Sequence, residues 1–460
     1  MEWKTADPAA PGIRARGQAG PREGSKVSRS YDRRAVWGWA LYDFANSVYT
    51  TVIVTFVYGI FFKDFIVGDD IVGQSLWTRG VTVTGLVVAV TSPFLGALAD
   101  RGGIRRPLLM GSTFMCVVLT ALLYFAGAGE VVLALTLFVV SNIFYEWCGV
   151  FYNSYLPDLA PPDRIGRISG YGWALGYAGG LLLTGLVFVV LVLPEVPPFG
   201  LDPDTGQHIR LITLLVAAWC AVFSVPMFRW VKEPPVVETR PPMGEIISGA
   251  KNQVVSTFHR IRTGYTDIFR LLVARLFYND GLVTIFSVGP LFMSDVFDLE
   301  LAQVLYWGLG VQIASGVGAF LMGFLDDRLG GKRTLLVTVR GLIIGGVWAV
   351  TATSLTSIYV AGFWVGIFVG PNQAASRSLL GRFVPRAKET EFYGFFAFSG
   401  KAIAFAGPFL YGEITRLTGN ARYGMSTILA FFVIGGLLLL AVDEPRGIAQ
   451  RNAEDAALVP

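Results

Sequence analysis

The stretch "GALADRGGIRRPLL", Gly96 to Leu109, returns 227 residues later as "GFLDDRLGGKRTLL", Gly323 to Leu336. At that offset Gly96, Leu98, Asp100, Arg101, Gly103 and Arg106 meet Gly323, Leu325, Asp327, Arg328, Gly330 and Arg333, and Arg105 meets Lys332. A pair of basic loops would explain the arginines but not the shared Asp and Gly register. Self-similarity at one fixed offset is the mark of a duplicated architecture. The chain therefore reads as two halves, each carrying this loop at the same place.

What surrounds each loop sets the fold class. A helix needs roughly 20 mostly apolar residues to cross the hydrocarbon layer. Twelve such stretches occur, near 36–62, 78–99, 107–127, 130–156, 168–193, 209–231, 268–293, 301–325, 334–353, 356–381, 392–415 and 421–442. Only 15% of residues are charged, well below the soluble norm of about 25%. The expected fold is all-α and integral to the membrane, with twelve transmembrane helices in two pseudo-symmetric six-helix bundles. The loops after the even-numbered spans, with both ends of the chain, hold 28 Lys and Arg against five in the opposite loops. The positive-inside rule then predicts a multi-pass protein with both termini cytosolic. Expected regions are a disordered basic arm at 1–35, bundles at 36–231 and 268–442, a polar connector at 232–267 interrupted by Pro234, Pro235, Pro241 and Pro242, and a tail at 443–460.

Other classes find little support. Cys116, Cys148 and Cys220 all lie in apolar segments without ligand spacing, and His208 and His259 fall in expected loops. No metal site, cofactor or disulfide framework is expected. Net charge is +4 and scattered, which argues against nucleic acid. The arm lacks an apolar h-region, so it is no cleavable signal peptide. No Walker loop and no cluster of nucleophile and base appear, so an enzyme is not expected.

The loop pair resembles the signature of the major facilitator superfamily, Gly-x-Leu-Ala-Asp-Arg-x-Gly-Arg-Arg, with one inserted residue in each copy, Ile104 and Gly331. A narrower resemblance lies in "YDFANS" (42–47), "FYNSYLPDLAPPDRIGRISGYGWALGYAGG" (151–180), "FYNDGLVTI" (277–285), "SRSLLGRFVP" (376–385) and "YGFFAFSGKAIAFAGP" (393–408). These are similar to the autophagy-related vacuolar amino-acid effluxers and their bacterial relatives. The superfamily resemblance implies that Asp100, Arg101, Asp327 and Arg328 gate one face by holding helix ends together. It also implies that spans 1, 4, 7 and 10 line a central cavity. The narrower resemblance implies export of neutral amino acids.

Of the charges inside the spans, six are candidates for function: Asp43, Glu146, Arg275, Asp280, Arg377 and Lys401. Each costs at least ~2.5–3.5 kcal/mol at mid-bilayer and needs a use or a partner. Trp39, Asp43, Asn46 and Thr50 share one helical face, as do Asn142, Glu146, Gly149 and Asn153. Polar stripes of this kind face protein or water rather than lipid. Asp43 is expected to pair with Arg377 or Arg275 as a gate near one face. Glu146 and Asp280 are candidate proton carriers, with permanent neutralisation by Lys401 or Arg275 as the competing reading. Asn46, Tyr145, Asn153, Tyr278, Asn279, Asn372 and Gln373 are the candidate substrate contacts. Gly172, Gly176 and Gly180 in span 5 allow close helix approach, and Gly407-Pro408 in span 11 marks a flexible point or a kink.

The expected activity is secondary active transport of a small solute by alternating access, coupled to protons, with amino-acid efflux as the leading case. Proton antiport of other organic compounds or drugs is the alternative, and a transport-inactive receptor on the same fold is a third. A monomer in a prokaryotic plasma membrane is expected, its partners being the solute, protons and the lipid bilayer.

Overall fold

A computed structural model describes residues 32–194, 198–202, 204–233, 242–299 and 301–457. Most of the expected N-terminal arm and three of the connector prolines lie outside these residues. Among the described residues, eleven helices are long and apolar enough to cross a bilayer: Arg33–Val67, Asp70–Gly102, Arg105–Phe125, Val131–Leu159, Ile165–Val192, Gln207–Trp230, Thr266–Phe297, Tyr306–Leu329, Gly331–Thr351, Leu355–Phe383 and Ala421–Leu440. They are spans 1 to 10 and span 12. His208 lies in span 6 and His259 in a helix of the connector, not in loops.

Span 11 departs from expectation. It is two helices, Glu389–Lys401 and Ala406–Thr418, joined by a turn at residues 402–405. Pro408 accounts for the second boundary: it has no N–H to donate, and its ring collides with the carbonyl four residues back, Ala404. The connector is not only a polar loop, since Met243–Gly264 is helical, and the tail forms the helix Glu444–Ala457.

Each half owns a core. One hydrophobic cluster gathers buried residues from Val48 to Cys220, the other from Ile261 to Val442, and no residue belongs to both. In lipid, helices associate through close packing and hydrogen bonds rather than water exclusion. The halves accordingly meet at small residues. A Cβ on Gly96 would stand 2.2 Å from the Thr390 carbonyl oxygen, and one on Gly323 would stand 2.9 Å from the Arg167 Cα. The repeat glycines thus seat span 2 against span 11 and span 8 against span 5. Gly103 and Gly330, also matched in the repeat, both turn the chain at positive φ, 55° and 88°, where a side chain is disfavoured.

Candidate functional site

The polar residues that join the halves form two latches and a clasp. Asp327, at the end of span 8, accepts the backbone N–H of Gly166 at 2.8 Å and of Arg167 at 3.3 Å, and pairs with the Arg167 guanidinium. Asp100, its counterpart in span 2, accepts the backbone N–H of Thr390 at 3.0 Å and of Glu391 at 2.8 Å. Each repeat aspartate therefore caps the N-terminus of a helix in the other half, where the positive end of the helix dipole favours a carboxylate.

The matched arginines do less. Arg328 is exposed and makes no side-chain hydrogen bond or ion pair among the described residues; Arg167 takes the place expected for it beside Asp327. Arg101 reaches the connector helix, donating to Gln253 at 2.7 Å, and Gln253 in turn donates to Glu391 at 2.6 Å.

Deeper in, Arg377 of span 10 enters the other half. Its guanidinium donates to Asp43 of span 1 at 3.1 Å, Asn153 of span 4 at 3.0 Å, and the Ser169 hydroxyl and carbonyl of span 5 at 3.0 and 2.7 Å. The rings of Trp39, Tyr152 and Trp173 surround it, 4.7 to 5.7 Å away. Of the two partners expected for Asp43, the structure selects Arg377. A further link lies two helical turns along span 4: Lys401 donates to Glu146 at 2.7 Å.

Arg275 does not bridge the halves. It is buried, donates to the Phe396 carbonyl at 2.8 Å and Ser399 at 3.1 Å, and stacks on the Phe396 ring, all within span 11 of its own half. Asp280 is 1% exposed and has no cationic partner among the described residues. One of its oxygens accepts the Gly407 N–H at 2.9 Å, capping the second helix of span 11, and the other has no hydrogen-bond partner.

The candidate substrate contacts divide. Asn46 and Gln373 are partly exposed, and Gln373 donates to Asn279 at 3.1 Å. Tyr145 accepts from Thr50 and stacks on Tyr49, and Asn153 serves Arg377. Tyr278, Asn279 and Asn372 are buried, bonding Ser376, the Gly400 carbonyl and Thr338. These bonds tie spans of one half to each other, while Asn372 Oδ1 is buried without a hydrogen-bond partner.

Sequence reasoning missed a second set of caps. Glu233 accepts the Arg106 N–H at 2.8 Å, and Glu444 accepts those of Gly331 and Lys332, both at 3.0 Å. The signal was present as "VKEP" (231–234) and "VDEP" (442–445), one at the end of each half. Also missed were Arg105, which pairs with Asp158 at 2.6 Å and Glu389 at 3.2 Å, and Asp326, which pairs with Arg382 at 2.6 Å.

Among the described residues, every hydrogen bond and ion pair between the halves lies between the face carrying the repeat loops and mid-depth. None joins the opposite ends of the spans.

An uncharacterised MFS-type transporter of Bacillus subtilis, YxiO, is 28% identical over 409 residues, covering 88% of this chain and 94% of its own. Autophagy-related protein 22 of Yarrowia lipolytica is 24% identical over 469 residues, covering 84% and 78%. The fold is similar to that of the proton:xylose symporter XylE of the major facilitator superfamily, with a TM-score of 0.70 at 14% identity, over 91% of this chain and 97% of that one. The relatives are transporters, and this chain is a multi-pass membrane transporter of the major facilitator type. The family profile described as "Vacuole effluxer Atg22 like" matches residues 65–452, and the chain belongs to that family.

Proposed function

We propose that this protein exports a small zwitterionic metabolite, with neutral amino acids as the leading case, by alternating access coupled to protons. The observation that carries the reading is the one-sided closure. Two latches and the Arg377 clasp fasten the halves toward one face, and among the described residues no hydrogen bond or ion pair joins them at the other. Rocking one half against the other would break these pairs and expose the centre to the loop face. The Lys and Arg bias supports placing that face in the cytosol, with both termini.

Asp280 fits the coupling role better than Glu146. Glu146 already has a cation at 2.7 Å, whereas Asp280 is buried with one oxygen unpartnered. A lone buried carboxylate is far less costly once neutralised, so a proton is its natural companion. Because it caps the break in span 11, gain or loss of that proton would change the helix it holds.

The test is uptake of a labelled amino-acid mixture into proteoliposomes, with and without an imposed proton gradient, for the native chain, Asp280→Asn and Glu146→Gln. Gradient-stimulated transport that Asp280→Asn uncouples supports the reading. Transport that ignores the gradient removes the proton, and no transport of any amino acid removes the substrate class.

A further inference from the structure

We infer that Glu146 and Lys401 form the charge-recognition site for the transported solute, Glu146 receiving an ammonium group and Lys401 a carboxylate. The inference rests on the transporter reading above and names its substrate contacts. The ion pair between them stands in for the solute in the empty protein.

Among the described residues four ion pairs join the halves, and this one differs from the rest. Its members are 34% and 21% exposed, whereas every other pair has a member no more than 5% exposed. Arg377 divides its guanidinium among four acceptors and three rings. Glu146 and Lys401 make no other side-chain hydrogen bond or ion pair among the described residues. A single contact from a flexible lysine is easier to exchange than a bidentate or multiply bonded arginine.

Position agrees. Glu146 and Asn153 lie on one face of span 4, seven residues or about 10 Å apart. Asn153 holds Arg377, so the exposed pair stands beyond the clasp at mid-depth, further from the loop face than any other ion pair between the halves among the described residues. Lys401 is the last residue of the first helix of span 11, and the Gly400 carbonyl before it accepts from Asn279, which Gln373 contacts in turn. Moving Lys401 therefore bears directly on the break that Asp280 caps.

Charge balance sets the specificity. A solute bearing both groups replaces one ion pair by two and leaves no charge uncompensated. An amine or a carboxylate alone would satisfy one member and strand the other in a poorly solvated site, which is strongly unfavourable. The pair thus admits zwitterions and rejects singly charged analogues.

The experiment uses the full chain in proteoliposomes with three labelled probes: leucine, its amide without the carboxylate, and its N-acetyl form without the ammonium. The native protein is expected to carry leucine about tenfold or more faster than either analogue. Lys401→Gln should reverse this in favour of the amide, and Glu146→Gln in favour of the N-acetyl form. The double exchange E146K with K401E keeps the attraction, and with it the fold, yet presents the charges reversed. Its leucine uptake should stay at about a tenth of native or below. If native protein carries none of the probes, the amino-acid reading fails and this assignment with it. If leucine is carried but the single variants slow all three probes alike, or the double exchange restores native uptake, the pair is structural and the assignment alone is overturned.

Discussion

Arg377 and Asp43, 334 residues apart in sequence, meet 3.1 Å apart between span 10 and span 1, with their side chains 3% and 18% exposed. The relationship is unequal, because Arg377 has three further acceptors and Asp43 has no other ion pair among the described residues. Removing Asp43 leaves the guanidinium largely satisfied. Removing Arg377 strands Asp43 and unties spans 4 and 5 from span 10. Losing one member of a buried pair costs on the order of 3–5 kcal/mol. Arg377→Gln should therefore lower both the thermal unfolding midpoint and the initial uptake rate much more than Asp43→Asn. Equal losses would mean the arginine acts only through Asp43.

Span 5 tests whether the clasp needs a bare backbone beside it. A Cβ at Gly172 would stand 2.7 Å from Asp43 Oδ2 and 2.8 Å from Arg377 Nη2, whereas one at Gly185 in the same helix would meet nothing within 4 Å. Gly172→Ala is expected to spread the ion pair and reduce uptake. Gly185→Ala should leave uptake unchanged and raise stability by about 0.5–1 kcal/mol, the usual gain of alanine over glycine within a helix. Uptake rates and unfolding curves for the two variants, side by side, check this.

The two latches should act on the same equilibrium. Each repeat aspartate accepts two backbone N–H groups at a helix N-terminus, but only Asp327 also pairs with an arginine there. A charge at a helix terminus is worth about 0.3–1 kcal/mol when exposed and up to about 2 when partly buried. Asp327→Asn is expected to open the loop face more than Asp100→Asn, and the double variant more than either. Labelling of a cysteine placed at Ala374, which is 3% exposed beside Ser169, by a maleimide that cannot cross the membrane and is supplied from the loop face reads the opening. Labelling that falls in the variants would reverse the assignment of these residues to closure.

The break in span 11 makes a fourth prediction. Gly407 lies so close to span 7 that a Cβ there would be 1.9 Å from Thr284 Oγ1 and 3.1 Å from Asp280 Oδ2. Gly407→Ala should displace the cap on the second helix and depress transport more than Pro408→Ala. The latter restores a backbone donor and should instead slow hydrogen exchange across residues 402–408. Fast exchange in Pro408→Ala would show that the break is set by the Asp280 cap rather than by the proline.

How much of this was legible in the sequence follows from what is local. Hydropathy and charge bias are properties of contiguous residues, so eleven of the twelve spans could be placed by counting. The repeat loops were legible because duplication preserves register: Gly96, Asp100 and Gly103 each find their match 227 residues on. The spacing of Asp43, Glu146 and Asn153 also showed which residues share a helical face, since 3.6 residues per turn is fixed by the backbone.

Partner choice belongs to the tertiary structure alone. Asp43 had two arginines within plausible depth, and only the packing of span 10 against spans 1, 4 and 5 selects Arg377 over Arg275. Asp327 binds Arg167 and not the adjoining Arg328, because the N-terminus of span 5 delivers two N–H groups and a guanidinium to one place. The break in span 11 needed a proline, which the sequence displays, and a carboxylate from another helix to cap the new terminus, which it does not. Side-chain chemistry is written along the chain; whether Asp280 or Glu146 ends up with a cation depends on which helices close over it.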